Sequence, residues 1–193
     1  MGNPYLTNAG AFLVNTLFGL YILAIMLRLI AQWVRADFYN PVVQFLYTVT
    51  EPAIRPLRSV MPLRGPIDWA GVTVILGLQL IKLFLIGLIA GKFLSLGGLL
   101  LISLGDLLNL FLNIYLFTIL IQVILSWVSP GTYHPAIHLL YQINEPVLGP
   151  ARRIIPPISG LDLSPLVVII AIQLVKMLVV APINDMGWGM ALG

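Results

Sequence analysis

The side chains able to do chemistry in this chain recur in one pattern. Glu51, Arg58 and Asp68 sit in EPAIRPLRSVMPLRGPID, and Glu145, Arg152 and Asp162 sit at the matching places in EPVLGPARRIIPPISGLD. An arginine flanked by acids in this way suits three tasks. It can hold its segment on one side of a membrane and touch lipid phosphates, gaining about 1 kcal/mol near an anionic leaflet. It can pair with the acids and brace the segment into a fixed wedge. Together with Arg153 it can bind an anionic ligand such as a lipid head group. The repetition favours the brace, because bulk charge alone would not fix one acid before proline and another at the start of the next apolar run. Asp68 and Asp162 also suit a helix N-terminus, where a carboxylate caps free N–H groups and complements the helix dipole.

A second set of polar groups, Arg28, Gln79, Lys82, Gln122, Gln173 and Lys176, falls inside long apolar runs. A charge at membrane depth marks a functional site by default, with snorkelling to the interface as the bland reading for lysine. Lys82 and Lys176 follow Gln79 and Gln173 by three residues and share a helical face with them. Asp106 lies near the same membrane boundary and can partner either lysine. His134 and His138 have i, i+4 spacing, but Asn40 and Gln44 stand at the equivalent places and no carboxylate shares that face, so no metal site is expected. The chain has no cysteine, no nucleophile–base pair, no phosphate-cradling loop and no basic–aromatic nucleic-acid surface. The expectation is a non-enzymatic protein without cofactor or nucleic-acid partner.

The elements that position these groups follow from composition. The chain is 60% hydrophobic and 9% charged, against about 25% charged residues in soluble domains. This identifies an integral membrane protein. Four runs, at roughly 11–34, 69–91, 107–128 and 163–181, are near the length a bilayer-spanning helix needs. Helix is required because open strand edges cannot be hydrogen-bonded in lipid. The glycine-rich stretch at 92–105 reads as an interfacial turn and 183–193 as a C-terminal tail of a single membrane domain, 1–193. The opening MGNPYLTNAG lacks a basic signal-peptide region, so the first run is expected to remain in the mature protein.

The echo extends far beyond the acidic and basic residues. With an offset of 94, 17 of the 50 positions from 33 to 82 are identical in the second half, including Trp33/Trp127, Tyr47/Tyr141, Glu51/Glu145, Asp68/Asp162 and Lys82/Lys176. Shared hydrophobicity does not match Trp, Glu, Pro, Arg, Asp and Lys, so the chain is a tandem duplication. The copies cover about 11–91 and 105–182. Each holds two spans, so both enter the membrane from the same side. The expected symmetry is a two-fold axis along the membrane normal, not the in-plane axis of inverted repeats. Arg35, Arg55, Arg58 and Arg64 lie within the first copy's loop and Arg152 and Arg153 within the second's, whereas the other side offers Lys92. The positive-inside rule then places both loops in the cytoplasm and both termini outside.

Within each loop a proline at a helix start precedes about three apolar turns and then Glu-Pro, at 37–52 and 132–146. Val43, Leu46 and Tyr47, echoed by Ile137, Leu140 and Tyr141, share one helical face. This is the pattern of a short amphipathic helix in the inner-leaflet interface. The later prolines, at 56, 62 and 66 and at 150, 156 and 157, are expected to stop the helix and send the chain back through an extended stretch. Gly87 and Gly91 form a GxxxG at the end of the second span, a helix-packing signal.

Two copies of span, Trp, Tyr-bearing interfacial helix, EP-x3-P-x-R-x3-P-x5-D and span resemble the YggT (YlmG) family of bacterial and plastid membrane proteins. DFYNP, GPARRIIPPISGLDLSP and GWGMAL look like a close bacterial member, and the resemblance covers nearly the whole chain. Arg152-Arg153 matches the family's double arginine, whereas Arg58 is followed by Ser59. The resemblance implies a bacterial inner-membrane protein, with relatives linked to osmotic stress, cation homeostasis and membrane-complex assembly, and it supplies no catalytic residues. The expected role is an assembly, scaffold or stress-related factor acting through its cytoplasmic loops. Its partners would be anionic head groups and a second membrane protein or copy. The competing expectation is a cation transporter or channel component, which needs a continuous polar file through the spans. Asn15, Asn109 and Asn113 join the three glutamines as candidates for such a file, but the spans hold no acid.

Overall fold

The computed structural model describes residues 4–61, 67–128, 134–155 and 162–192. Repeat 1 comprises α1 (Pro4–Trp33), α2 (Pro41–Arg58) and α3 (Trp69–Ile89). Repeat 2 comprises α4 (Leu96–Val128), α5 (Pro135–Ile154) and a final long helix. That helix runs as α6 (Ser164–Val175), a π turn (Lys176–Val180) and α7 (Ala181–Leu192). Four helices, at 5–33, 69–89, 96–128 and 164–192, are long and apolar enough to cross a membrane. At about 1.5 Å per residue, α1 and α4 exceed a hydrocarbon layer of about 30 Å, so they tilt or project from it.

Three expected boundaries are wrong, for related reasons. The stretch 92–105 is not an interfacial turn: α4 starts at Leu96, and Gly97, Gly98 and Gly105 are helical. A Cβ on Gly98 would stand 2.5 Å from the Ala191 backbone, and one on Gly105 would collide with Asn184. These glycines bring α4 and α7 into backbone contact, as small residues do between helices in lipid. Residues 183–193 are not a tail, because the helix continues to Leu192. Pro182 is tolerated because the π turn just before it widens the helix, with the Ala181 N–H donating five residues back to Lys176. Finally, α2 and α5 do not stop at Glu-Pro. They run through Pro52 and Pro56, and through Pro146 and Pro150, with all four prolines exposed. Prolines four apart lie on one face, so the carbonyls they leave without partners are confined to one outward stripe. The later prolines, Pro62, Pro66, Pro156 and Pro157, lie outside the described residues, as do Arg64 and Tyr133.

The main core lies where the two repeats meet beneath α2 and α5. Ile22, Ile25 and Ile30 of α1 pack there with Ile54 of α2, Ile119 of α4 and Leu148 of α5. A smaller cluster of Leu83, Leu99, Ile102 and Ala191 joins α3, α4 and α7. Between the repeats, the Asn40 side-chain amide donates to the Pro135 carbonyl at 2.7 Å. At the far end the Ser95 hydroxyl donates to the Met190 carbonyl at 2.6 Å. Gly91 has φ +67° with open space around it, so it closes α3 as a left-handed cap and is not part of a helix-packing pair.

Candidate functional site

Helix α2 of repeat 1 is built for one orientation. Asn40 caps it, its side chain accepting from the Val42 N–H at 2.9 Å, and Pro41 occupies the first turn. Val43, Leu46, Thr50 and Ile54 form the buried stripe, at spacings of three and four residues. The opposite side carries Val42, Phe45 and Val49, all exposed. Helix α5 starts alike, with His134 as the cap accepting from the Ala136 N–H at 3.2 Å, but its buried stripe is turned: Leu139 and Ile143, at the places of exposed Phe45 and Val49, are buried with Asn144 and Leu148, whereas Tyr141 of the expected face is exposed. Among the described residues no group of three or more His, Asp or Glu could hold a metal ion.

Where α2 crosses the end of α1, four charged side chains interlock. Arg28 is fully buried and donates to Thr50 Oγ1 at 2.8 Å and to Glu51 Oε2 at 2.6 Å. Its guanidinium carbon lies 4.0 Å from the centre of the Tyr47 ring. Arg58 reaches the other edge of Glu51, at 3.1 Å, and donates to Asp68 Oδ2 at 2.6 Å. Asp68 in turn caps α3 by accepting from the Gly71 N–H at 3.2 Å. Burying these charges is tolerable because each is paired and hydrogen-bonded. Burial alone would lower the Arg58 pKa, but the hydrogen bond it donates to Asp68 and the charges of Asp68 and Glu51 outweigh this and raise it. Thus one chain of contacts ties the long apolar helices α1 and α3 to α2.

Repeat 2 keeps half of this arrangement. Arg152 donates to Asp162 Oδ2 at 2.9 Å and to Glu145 Oε2 at 3.2 Å. Asp162 also accepts from the N–H and hydroxyl of Ser164, at 2.9 and 2.6 Å. Burial would raise its pKa, but the bonds from Ser164 and Arg152 prevail and hold the carboxyl below the usual carboxylate range. The buried ion pair is gone. At the Arg28 position stands Gln122, which accepts from the Asn144 amide at 2.7 Å, and Asn144 accepts from the Thr118 hydroxyl at 2.7 Å. A neutral ladder therefore replaces the Arg28–Thr50–Glu51 contacts.

The remaining polar groups are dispersed. Arg153 is exposed and makes no ion pair among the described residues. Asp106, expected at the membrane boundary, lies inside the span α4, so the spans do hold an acid, and the Gln79 amide donates to it at 2.8 Å. Lys176 finds an amide and not an acid, donating to Asn113 Oδ1 at 2.7 Å. Gln173 and Asn15 are exposed on the outside of the helices. Sequence spacing does not join Arg28 to Glu51, because the two stand on different helices 23 residues apart. One signal was available: where Arg28 becomes Gln122, Thr50 becomes Asn144, a paired change at two positions 22 residues apart.

The CCB3/YggT family model matches the chain twice, over residues 7–89 and 101–183. An uncharacterized protein of Pseudomonas aeruginosa is 42% identical over 179 residues, covering 91% of this chain and 90% of its own. An uncharacterized protein from the proC 3′ region of Vibrio alginolyticus is also 42% identical, over 89% of this chain and 93% of its own. The uncharacterized protein YggT of Escherichia coli K12 is 37% identical over 88% of both chains. No solved structure matches this chain.

Proposed function

The chain belongs to the CCB3/YggT family, and we propose that it serves as a non-catalytic assembly or scaffold factor of the bacterial inner membrane. The observation that carries this reading is the pairing of a rigid mount with an unpartnered apolar face. Helix α2 is fixed by the Arg28–Glu51–Arg58–Asp68 contacts, while Phe45 on its outer side is 64% exposed, flanked by Val42 and Val49. A held apolar ridge at the interface suits docking of a second membrane protein or another copy, above anionic head groups. The arginines of the two loops support, by the positive-inside rule, a cytoplasmic position for this ridge with both termini in the periplasm. A role in osmotic stress would then act through the assembled partner. A cation pathway is less well supported: Asn15 and Gln173 face outward, and Gln79 and Lys176 are held by Asp106 and Asn113.

The test is a photo-crosslinking residue placed in living cells at Phe45 or Val49, compared with Phe117 on the exposed side of α4. Discrete protein adducts at Phe45 and Val49 but not at Phe117 are expected. Lipid adducts alone at all three positions would refute the scaffold reading.

A further inference from the structure

The exposed side of α5 holds one acid and one base that do not meet. Gln142, Glu145, Pro146, Gly149, Pro150 and Arg153 follow one another at helical spacing and line a cavity of about 500 Å³. Glu145 uses Oε2 for Arg152, at 3.2 Å. Its Oε1 accepts no hydrogen bond among the described residues and leans along the helix to Gly149, where a Cβ would stand 2.9 Å from it. Arg153 is exposed and borders the same cavity, without an ion pair among the described residues. From Gly149 to Arg153 is about one helical turn, roughly 6 Å along the axis.

The cavity also offers acceptors without donors. Gln142 Oε1 is buried and has no hydrogen-bond partner. Pro146 and Pro150 carry no N–H, so the carbonyls of Gln142 and Pro146 lack their usual helical donors. Repeat 1 closes the same place. At the offset of 94, Gly149 and Arg153 become Arg55 and Ser59, and Glu51 turns inward to Arg28 and Arg58. A long side chain thus stands where repeat 2 leaves room, and the base at the far end is gone. The two charges of the cavity, Glu145 and Arg153, sum to zero, while Arg152 is matched by Asp162 at 2.9 Å. Such a site favours neither a lone cation nor a lone anion. It suits a ligand that carries both charges about one helical turn apart, with several N–H donors at its positive end.

We propose that this cavity binds a zwitterionic phosphoethanolamine group. Arg153 takes the phosphate, and Glu145 Oε1, the Gln142 side chain and the freed carbonyls take the ammonium, through charge-assisted hydrogen bonds. The volume lies within the range of small-molecule sites, about 300–1,000 Å³. A membrane phospholipid and a soluble phosphodiester share this chemistry. The position favours the lipid: Val34, on the cavity wall, directly follows α1, a helix long and apolar enough to cross a membrane, so the cavity lies at head-group depth. The inference does not depend on the scaffold reading, which concerns α2 and a protein partner.

The experiment uses full-length protein in phosphatidylglycerol nanodiscs, with thermal unfolding as readout. In one arm phosphatidylethanolamine or phosphatidylcholine is added stepwise to the bilayer. In the other, soluble glycerophosphoethanolamine is titrated into phosphatidylglycerol nanodiscs alone. Binding predicts a saturable Tm rise of roughly 3–6 °C at about ten times Kd. Phosphatidylcholine, whose ammonium has no N–H, should give a much smaller one. A rise confined to the phosphatidylethanolamine arm identifies a head group; a rise with the soluble diester identifies a free ligand. In either case Gly149→Arg and Arg153→Ser, which install the repeat 1 residues, should each weaken the response at least several-fold. Gly149→Arg should fold, because its Cβ would meet only the flexible end of Glu145. No rise in either arm, an equal rise with phosphatidylcholine, or a rise undiminished in both variants overturns the proposal.

Discussion

Replacing Arg28 by Gln tests whether the repeat 1 contacts act as a unit. Glutamine, the residue repeat 2 uses at this position, can keep a bond to Thr50 but loses the charge. The loss includes a charge-assisted hydrogen bond to Glu51, worth about 1.5–3 kcal/mol, and a desolvated cation–π contact worth up to about 2 kcal/mol. Breaking a buried ion pair costs about 3–5 kcal/mol when the remaining charge is stranded. Glu51 is not stranded, because Arg58 still reaches it at 3.1 Å and its side chain is 37% exposed. The net expectation is a loss of about 2–4 kcal/mol. For a chain of this size that lowers Tm by about 5–12 °C. Circular dichroism in detergent micelles measures it, with Arg28→Lys as the companion. Lysine keeps the charge but can serve only part of the fork, so it should fall between wild type and Gln. If Arg28→Gln melts with wild type, the four charges are neighbours and not a brace, and the rigid mount for α2 is lost with them.

Arg152→Lys should cost about 1 kcal/mol and Arg152→Gln about 2 kcal/mol in the same melts, because the pairs of repeat 2 are more exposed and more screened. If Lys matches wild type while Gln fails, Arg152 is only a charge. Gly98→Ala should destabilise by about 1–3 kcal/mol through its clash with Ala191. Gly97→Ala, whose Cβ would meet only the flexible end of Met190 at 3.4 Å, should be neutral or gain about 0.5–1 kcal/mol. The Asp162 carboxyl has a depressed pKa in the folded state, so its contribution is present above its unfolded pKa of about 3.9 and is lost as pH falls through the folded value. Tm measured from neutral to acidic pH should show this loss, and Asp162→Asn should be less stable at neutral pH with a flatter acid limb.

Much of the architecture is legible in the sequence because the chain states it twice. An offset of 94 that matches Trp, Glu, Pro, Arg and Asp defines the repeat unit, and the family model matches the same two stretches. The ends of the helices are harder to read. Rules for glycine and proline come from helices in water, where a broken turn is rescued by solvent. In lipid the unsatisfied backbone costs more than the awkward residue, so the helix continues. Gly97, Gly98 and Gly105 then serve as a seam for α7, and Pro182 rides on a π turn. The acid–arginine–acid spacing is equally visible, and the structure puts Arg58 and Arg152 in contact with both of their flanking acids. Arg28 could not be placed with them by spacing, since it belongs to another helix and its counterpart carries no charge.

The differences between the copies at this place also fit together. Three positions change together: Ala24 to Thr118, Arg28 to Gln122, and Thr50 to Asn144. In repeat 2 the Asn144 amide is satisfied on both sides, by Gln122 and by Thr118. Removing one member leaves a buried polar group unpaired, at about 1–3 kcal/mol. Starting from the repeat 1 arrangement, Thr50→Asn comes first at little cost, because Arg28 can donate to an amide oxygen in place of the hydroxyl. Ala24→Thr then adds a second donor to that oxygen. Only after these changes can Arg28→Gln be accepted, because the amide is ready to pair with it. The triple variant Ala24→Thr/Arg28→Gln/Thr50→Asn should therefore recover most of the stability lost in Arg28→Gln alone. The recovery should be clearly larger than the sum of the single changes, as for residues in one network. Strict additivity in that cycle would mean the two copies are not alternative solutions to one packing problem.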